Sequence, residues 1–355
     1  MRNLLVAVML VVAGPALAQT ATPGTVLDAA VEQVIRPGMA AFETSAEGLQ
    51  TAMGALCAAP SGAALDAAQE SFAQAAVAYG QIEFIRIGPL MDNNRVDRLL
   101  FFPDRKGIGL RQVQAILAAQ DASAVDPATL GSKSIAIQGF GALEFVLYGT
   151  GFEDLATDAG AFRCQYGAAI AGNVAAIAGE LVAGWNAPDG VAEHLMRPAA
   201  EYADYRTPVE ALEELVGLVS HGIEATRDTR IKPFIASDGA AAKPKQALFW
   251  RSGLTMAMVG ANIEGMRRLI EMSGVAREVE EKDKALDNSI AFEFSNAERA
   301  LALITLPVEQ AVADPKQTQA LNYLVLVTGS LQSLVGEQLS TALGLSVGFS
   351  SLDGD

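Results

Sequence analysis

The chain has 355 residues, a formal net charge of −16 and two histidines. Nucleic acid and anionic membranes are poor partners for so acidic a protein, because both carry the same charge. Solubility alone would explain the acidity. The more specific alternative is that the negative charge attracts cations. The length favours two structural units.

Residues 1–18 have the pattern of a secretory signal peptide. Arg2 is the charged start, an apolar run follows from Leu4 to Ala13, and Ala16-Leu17-Ala18 is the small-residue cleavage site. We expect cleavage after Ala18. The apolar run is shorter than the roughly 20 residues that span a bilayer, so we expect no transmembrane segment after the signal is removed.

The two cysteines, Cys57 and Cys164, are predicted to form a disulfide. Export places them in an oxidising compartment, where a pair of cysteines in one chain usually bridges. The alternative is two unpaired, buried thiols.

The first long elements are predicted to be helices. The sequence from Ala29 onward is rich in alanine, with apolar residues three and four apart, and no strand pattern competes. We predict a helix over 25–59, interrupted at 36–38 because proline disfavours helix at the preceding residue. Ser61 is predicted to cap a second helix over 62–88.

Residues 79–106 carry an unusually dense set of charges for this chain. Arg86 follows Glu83 by three positions and would share a helix face with it. One interpretation is a solvated link between helices. The other is that Arg86 or Arg95 faces a buried acid further along the chain.

That acid is Glu144, in the apolar stretch 135–149. If the stretch is helical it is buried on most sides, and a buried carboxylate needs a cation, a metal or several donors, or else it becomes neutral. Gly139 and Gly141 precede it, and their lack of a side chain suggests that another part of the backbone lies close to the chain there. A ligand at position 141 would complete a metal pair with Glu144, but glycine supplies none.

The rest of the chain is also predicted to be helical, with a break that we place after residue 190. Helices are predicted over 159–185, 208–229, 275–306 and 315–343, and the segment 243–253 is predicted to open another that continues to about residue 273. Arg251 and Ser252 are the polar positions of 243–253, and Arg251 either lines the same site as Glu144 or is an ordinary surface arginine. His194 and His221 are expected to be surface or hydrogen-bonded residues, not metal ligands.

Four segments together resemble the imelysin-like family of secreted bacterial proteins: 84–104, 137–149, 249–254 and 348–355. Gly139 and Glu144 match the G-x-H-x-x-E signature of that family, whereas Gly141 stands where the family has histidine. The resemblance implies an all-α protein of two packed helical bundles, about four long helices each, divided as 19–190 and 191–355. It places a site at their interface. Phe349 and Leu352 would anchor a docked tail with Asp353 near that cleft, and the alternative is an exposed acidic end.

The same resemblance implies a periplasmic protein associated with iron uptake. We predict a binding component for a small ligand or metal ion. Inner-membrane uptake components are its candidate partners. The cofactor is unknown; iron or another divalent cation is the candidate, and Glu144 is the one metal-ligating residue proposed. A small anion or chelate held by Arg86, Arg95 or Arg251 would tolerate Gly141 better.

Two other functions were weighed against binding. The first is a scaffold or partner-binding protein whose site has degenerated. The second is a metallopeptidase, the historical label of the family, which the residues do not support. The chain has no H-E-x-x-H and no G-x-S-x-G, and catalytic zinc needs three protein ligands.

Overall fold

The computed structural model describes residues 22–236 and 239–346. Within those ranges every long regular element is a helix and no β-strand occurs, which confirms the all-α prediction. The predicted signal peptide and the tail with Asp353 lie outside the described residues.

The helices of the N-terminal half are α1 (Pro23–Ala30), α2 (Arg36–Ala58), α3 (Gly62–Gly80), α4 (Arg95–Leu99), α5 (Ile108–Ala119), α6 (Pro127–Leu130), α7 (Phe140–Tyr148), α8 (Ala161–Trp185) and α9 (Val191–Met196). The helices of the C-terminal half are α10 (Pro208–Ala225), α11 (Thr255–Ser273), α12 (Ala285–Ala302), α13 (Val308–Ala311), α14 (Pro315–Gln332) and α15 (Ser340–Ala342). Three π-helical segments, Val31–Ile35, Thr226–Ile231 and Ser333–Leu339, extend α1, α10 and α14 without a break.

The interruption predicted at 36–38 is wrong. The π-helical segment Val31–Ile35 joins α1 directly to α2, and the N–H of Arg36 donates to the carbonyl of Val31. Pro37 has no N–H and its ring crowds the preceding turn, so a local widening of the helix accommodates it. The helix therefore continues through the proline.

The second helix begins as predicted but ends earlier. Ser61 caps α3, its side chain accepting the N–H of Ala64. The helix ends at Gly80, not near residue 88, and the chain then enters turns. Glu83 and Arg86 consequently share no helix face, and Glu83 pairs with Arg230 of the C-terminal half.

Aromatic packing joins the two halves. Phe42, Phe72, Tyr79 and Phe140 form a buried cluster in the N-terminal half. Phe249 enters it from the other half, its ring centroid 5.5 Å from that of Phe72. Edge-to-face contacts of this kind add about 0.5–1.5 kcal/mol to the burial itself. The loop that carries Phe249 is thereby fixed against α3 and α7.

The Cys57–Cys164 disulfide is confirmed, and it joins the end of α2 to α8. Of the described helices, the segment Asp158–Trp185 alone is long and apolar enough to cross a membrane, with 50% of its apolar window buried in the protein. Since α8 packs along α2, we assign it to the core.

The C-terminal half packs α10, α11, α12 and α14 against one another. The short helix α1, although it lies at the start of the chain, packs on α10 and α11. Buried apolar side chains form one continuous core through both halves. The division into two domains at residue 190 stays a prediction.

Candidate functional site

The two glycines before Glu144 serve different purposes. A Cβ at Gly139 would overlap the backbone carbonyl oxygens of Arg98 and Leu99, so only glycine allows this close approach. A Cβ at Gly141 would meet nothing within 4 Å, because that position faces an open cavity. Close backbone approach, expected at both positions, occurs at Gly139 alone.

Alanine at these two positions is expected to have opposite effects. Gly139→Ala should lower the free energy of unfolding by about 1–3 kcal/mol through overpacking against backbone that cannot move aside. Gly141→Ala should raise it by about 0.5–1 kcal/mol, because alanine has fewer unfolded conformations to lose and its Cβ would meet nothing within 4 Å. Urea unfolding of the two variants measures both changes. A loss of equal size at both positions would contradict the assignment.

Glu144 is 4% exposed, as the apolar neighbours predicted, and a loop of the C-terminal half holds its carboxylate. Its Oε1 accepts the backbone N–H groups of Arg251, at 3.1 Å, and Ser252, at 3.0 Å. The Ser252 hydroxyl donates to the same oxygen at 3.1 Å. Oε2 lies 3.7 Å from Nη1 of Arg251. The acid is thus a bridge between α7 and residues 251–252.

Two opposing effects act on the pKa of Glu144. Burial raises it above its usual range, because the charged form loses its hydration. The donors of Ser252 and the guanidinium of Arg251 oppose that rise, and burial is the larger effect. The ionised form of the carboxylate is therefore stabilised by the donors of the loop, Arg251 and Ser252.

The loop itself is held in an uncommon conformation. Phe249 has φ 56°, a left-handed value that non-glycine residues seldom adopt, and the insertion of its ring among Phe72 and Phe140 holds it there. Next to it, the Arg251 guanidinium lies 4.5 Å from the centroid of the Trp250 ring and 5.5 Å from that of Phe145. Arg251 is thereby positioned by two aromatic rings and Glu144.

A cavity of about 600 Å³ lies beside these groups, at the junction of the two halves. Residues from four parts of the chain line it, between 100 and 113, 136 and 145, 228 and 233, and 245 and 251. Gly141 and Glu144 form part of one wall, and Trp250 and Arg251 part of another. This volume matches the sites that hold small organic ligands and is far larger than a bare ion needs.

The donor set does not fit a bare metal ion. Within residues 22–236 and 239–346 no group of three or more His, Cys, Asp or Glu side chains could hold one. Oε1 of Glu144 is already occupied by three donors, and Gly141 adds no ligand one turn away. We therefore derive no chemistry that uses iron bound directly to Glu144.

The sequence-predicted site residues divide into two groups. Gly141, Glu144 and Arg251 line the cavity, and Gly139 and Ser252 support them from behind. The pairing of Arg86 or Arg95 with Glu144 is wrong. Arg95 binds Glu180, with 2.7 Å between Nε and Oε2, and Arg86 is exposed in the turns after α3.

Three lining residues were missed as site residues. Asp104 and Arg105 lie in the charge-dense segment 79–106, and Lys245 lies just before the aromatic pair at 249–250. The density of charge was the available signal. It could not show which of those side chains face the same cavity.

These features define an all-helical protein with a ligand-sized cavity between its halves. The family model described as Imelysin, of peptidase family M75, matches residues 35–335. The chain therefore belongs to the imelysin family. A search among curated proteins finds no match.

Two solved structures are similar in fold. One is an imelysin-like protein from Psychrobacter arcticum 273-4, with TM-score 0.76 and 19% identity over 93% of this chain and 98% of that one. The other is a candidate iron-regulated protein A precursor from Parabacteroides distasonis ATCC 8503, with TM-score 0.69 and 17% identity over 90% of this chain and 97% of that one. At these identities the likeness shows the fold alone.

Proposed function

We propose that this imelysin-family protein is an exported, periplasmic binding component of an iron or other metal uptake system, and that its cargo occupies the cavity between the halves. The cavity of about 600 Å³ carries the proposal, because both halves line it and its size suits a small molecule. The signal-peptide pattern supports export, and the name of the Parabacteroides distasonis protein supports the link to iron. An inner-membrane uptake component would receive the cargo.

Binding without bond breaking suits the residues that line the cavity. Among the described lining residues there is no histidine, cysteine or serine, and the hydroxyl of Thr229 already donates to the carbonyl of Ala225, so no hydroxyl or thiol there has a histidine to activate it. Catalytic zinc would need three protein ligands and an open position, and the part of the chain that the structure describes offers no such set at the cavity. The peptidase chemistry in the family's name is therefore not proposed for this chain.

The test fills the cavity without disturbing the fold. Gly141→Trp places an indole in the open space, whereas Gly141→Ala adds a methyl group that leaves the space almost unchanged. In a strain that lacks the protein, we expect poor growth under iron limitation, rescue by the wild type and Gly141→Ala, and no rescue by Gly141→Trp. Circular dichroism melts of the purified variants would show that all three are folded.

Two outcomes would contradict the proposal. Full rescue by Gly141→Trp would show that the cavity is not used, and normal growth of the deletion strain would remove the link to iron. The scaffold alternative predicts one or the other of these outcomes. One observation favours that alternative: the Glu144 carboxylate is engaged by Arg251 and Ser252, as a structural bridge would be.

A further inference from the structure

We propose, on the basis of the function proposed above, that the cargo is a small aromatic carboxylate, and that Arg105 and Lys245 bind its acidic group at the mouth of the cavity. The two cations come from opposite halves of the protein, and both line the cavity. The inference concerns the chemical class of the ligand, which the proposed function leaves open.

Among the described residues, neither cation has an anionic partner. In the part of the chain that the structure describes, no carboxylate lies within ion-pairing distance of either side chain. The contact that Lys245 makes is with the Trp250 ring, whose centroid lies 5.3 Å from Nζ. In a protein of net charge −16, two unpaired cations beside one cavity are available for an anion from outside.

The acids that line the same cavity are already compensated. Asp104 accepts the backbone N–H groups of Ile108, at 2.7 Å, and Leu110, at 3.3 Å. Asp228 pairs with Arg227 at 2.7 Å and with Lys232 at 2.6 Å.

Glu144, the third acid, is held by its three donors and by Arg251. With the acids satisfied in this way, the field that the cavity presents to a ligand is set by Arg105 and Lys245. It favours an anion over a cation.

The walls favour a flat apolar body behind that anionic group. Five aromatic side chains line the cavity: Phe101, Phe102, Phe145, Phe249 and Trp250. A wholly polar acid would lose its hydration against these rings without compensation, whereas an aromatic acid would bury its ring there and keep its carboxylate at the cations. An aromatic carboxylate that also carries a catechol can chelate ferric iron by itself, so the iron would need no protein ligand.

Titration calorimetry of the mature protein tests this with 2,3-dihydroxybenzoate, free and as its ferric complex, and with catechol, which has the ring but no carboxylate. Both acid forms are expected to bind, and catechol to bind about tenfold more weakly, because it forms no charged hydrogen bonds. Arg105→Gln and Lys245→Gln should each weaken binding of the acid by about tenfold for the same reason. Tight binding of the free acid would show that the carboxylate, not the iron, is recognised.

Two neighbouring lysines provide matched controls. Lys106→Gln and Lys243→Gln remove the same charge from the same two loops, but neither side chain lines the cavity, so they should bind the acid as the wild type does. The inference is overturned if the acid fails to bind, if catechol binds as tightly, or if the control substitutions weaken binding as much as Arg105→Gln and Lys245→Gln.

The two proposals fail in distinguishable ways. If ferric citrate binds, Gly141→Trp abolishes that binding and 2,3-dihydroxybenzoate does not bind, the protein remains a binding component and the aromatic class is wrong. If 2,3-dihydroxybenzoate binds through Arg105 and Lys245 but the deletion strain grows normally without iron, the ligand class stands and the role in iron uptake is wrong.

Discussion

Replacing Arg230 by methionine is expected to lower the free energy of unfolding by about 3–5 kcal/mol, because it leaves a buried carboxylate without its counter-ion. Arg230 is 6% exposed, and its Nη2 lies 3.2 Å from both carboxylate oxygens of Glu83. Its guanidinium also lies 4.7 Å from the centroid of the Phe102 ring, beside the cavity. The π-helical extension of α10 places this cation at the junction of the halves. Urea unfolding measures the loss.

A double variant separates the uncompensated charge from general damage to packing. In Glu83→Leu combined with Arg230→Met both charges are gone, so most of the stability lost in the single variant should return. Arg206→Met, which breaks the exposed pair with Glu210, should change stability little. If the double variant were as unstable as Arg230→Met alone, the lost stability would belong to shape and not to charge.

The fold could be predicted to a large extent because helical periodicity is a local property. Apolar residues three and four apart predicted the positions of α2, α3, α8, α10 and α14, and Ser61 predicted the start of α3. Helix interruptions were less predictable. Pro37 predicted a break, but a π-helical turn accommodates it, and the close packing of Gly80 on Met258 and Ala261 accompanies the early end of α3. The first effect is a local change of helix type that apolar periodicity does not show, and the second accompanies tertiary contacts.

The site likewise has features that the local sequence predicts and others that it does not. The apolar neighbours of Glu144 predicted its burial, since they surround it on its own helix. Its predicted partners were the side chains of Arg86, Arg95 and Arg251, and only Arg251 contacts it. Two of the donors are backbone N–H groups, which carry no signature in a sequence. The cavity depends on the arrangement of both halves, so its lining by Arg105 and Lys245 could not be predicted.

Breaking the Cys57–Cys164 disulfide is expected to lower the free energy of unfolding by about 4–5 kcal/mol. The bridge closes a loop with a sequence separation of 107, so without it the unfolded chain gains much conformational freedom. Guanidinium unfolding with and without dithiothreitol measures the change. In Cys57→Ser combined with Cys164→Ser, dithiothreitol should have no further effect.

The disulfide also allows stability and binding to be separated. Neither cysteine lines the cavity, and the bridge joins α2 to α8, which pack along each other without its help. At low denaturant, where the reduced protein is still folded, its affinity for the ligand should therefore equal that of the oxidised protein. A parallel loss of affinity and stability on reduction would show that the geometry of the cavity depends on the covalent link, and the bridge would then belong to the site.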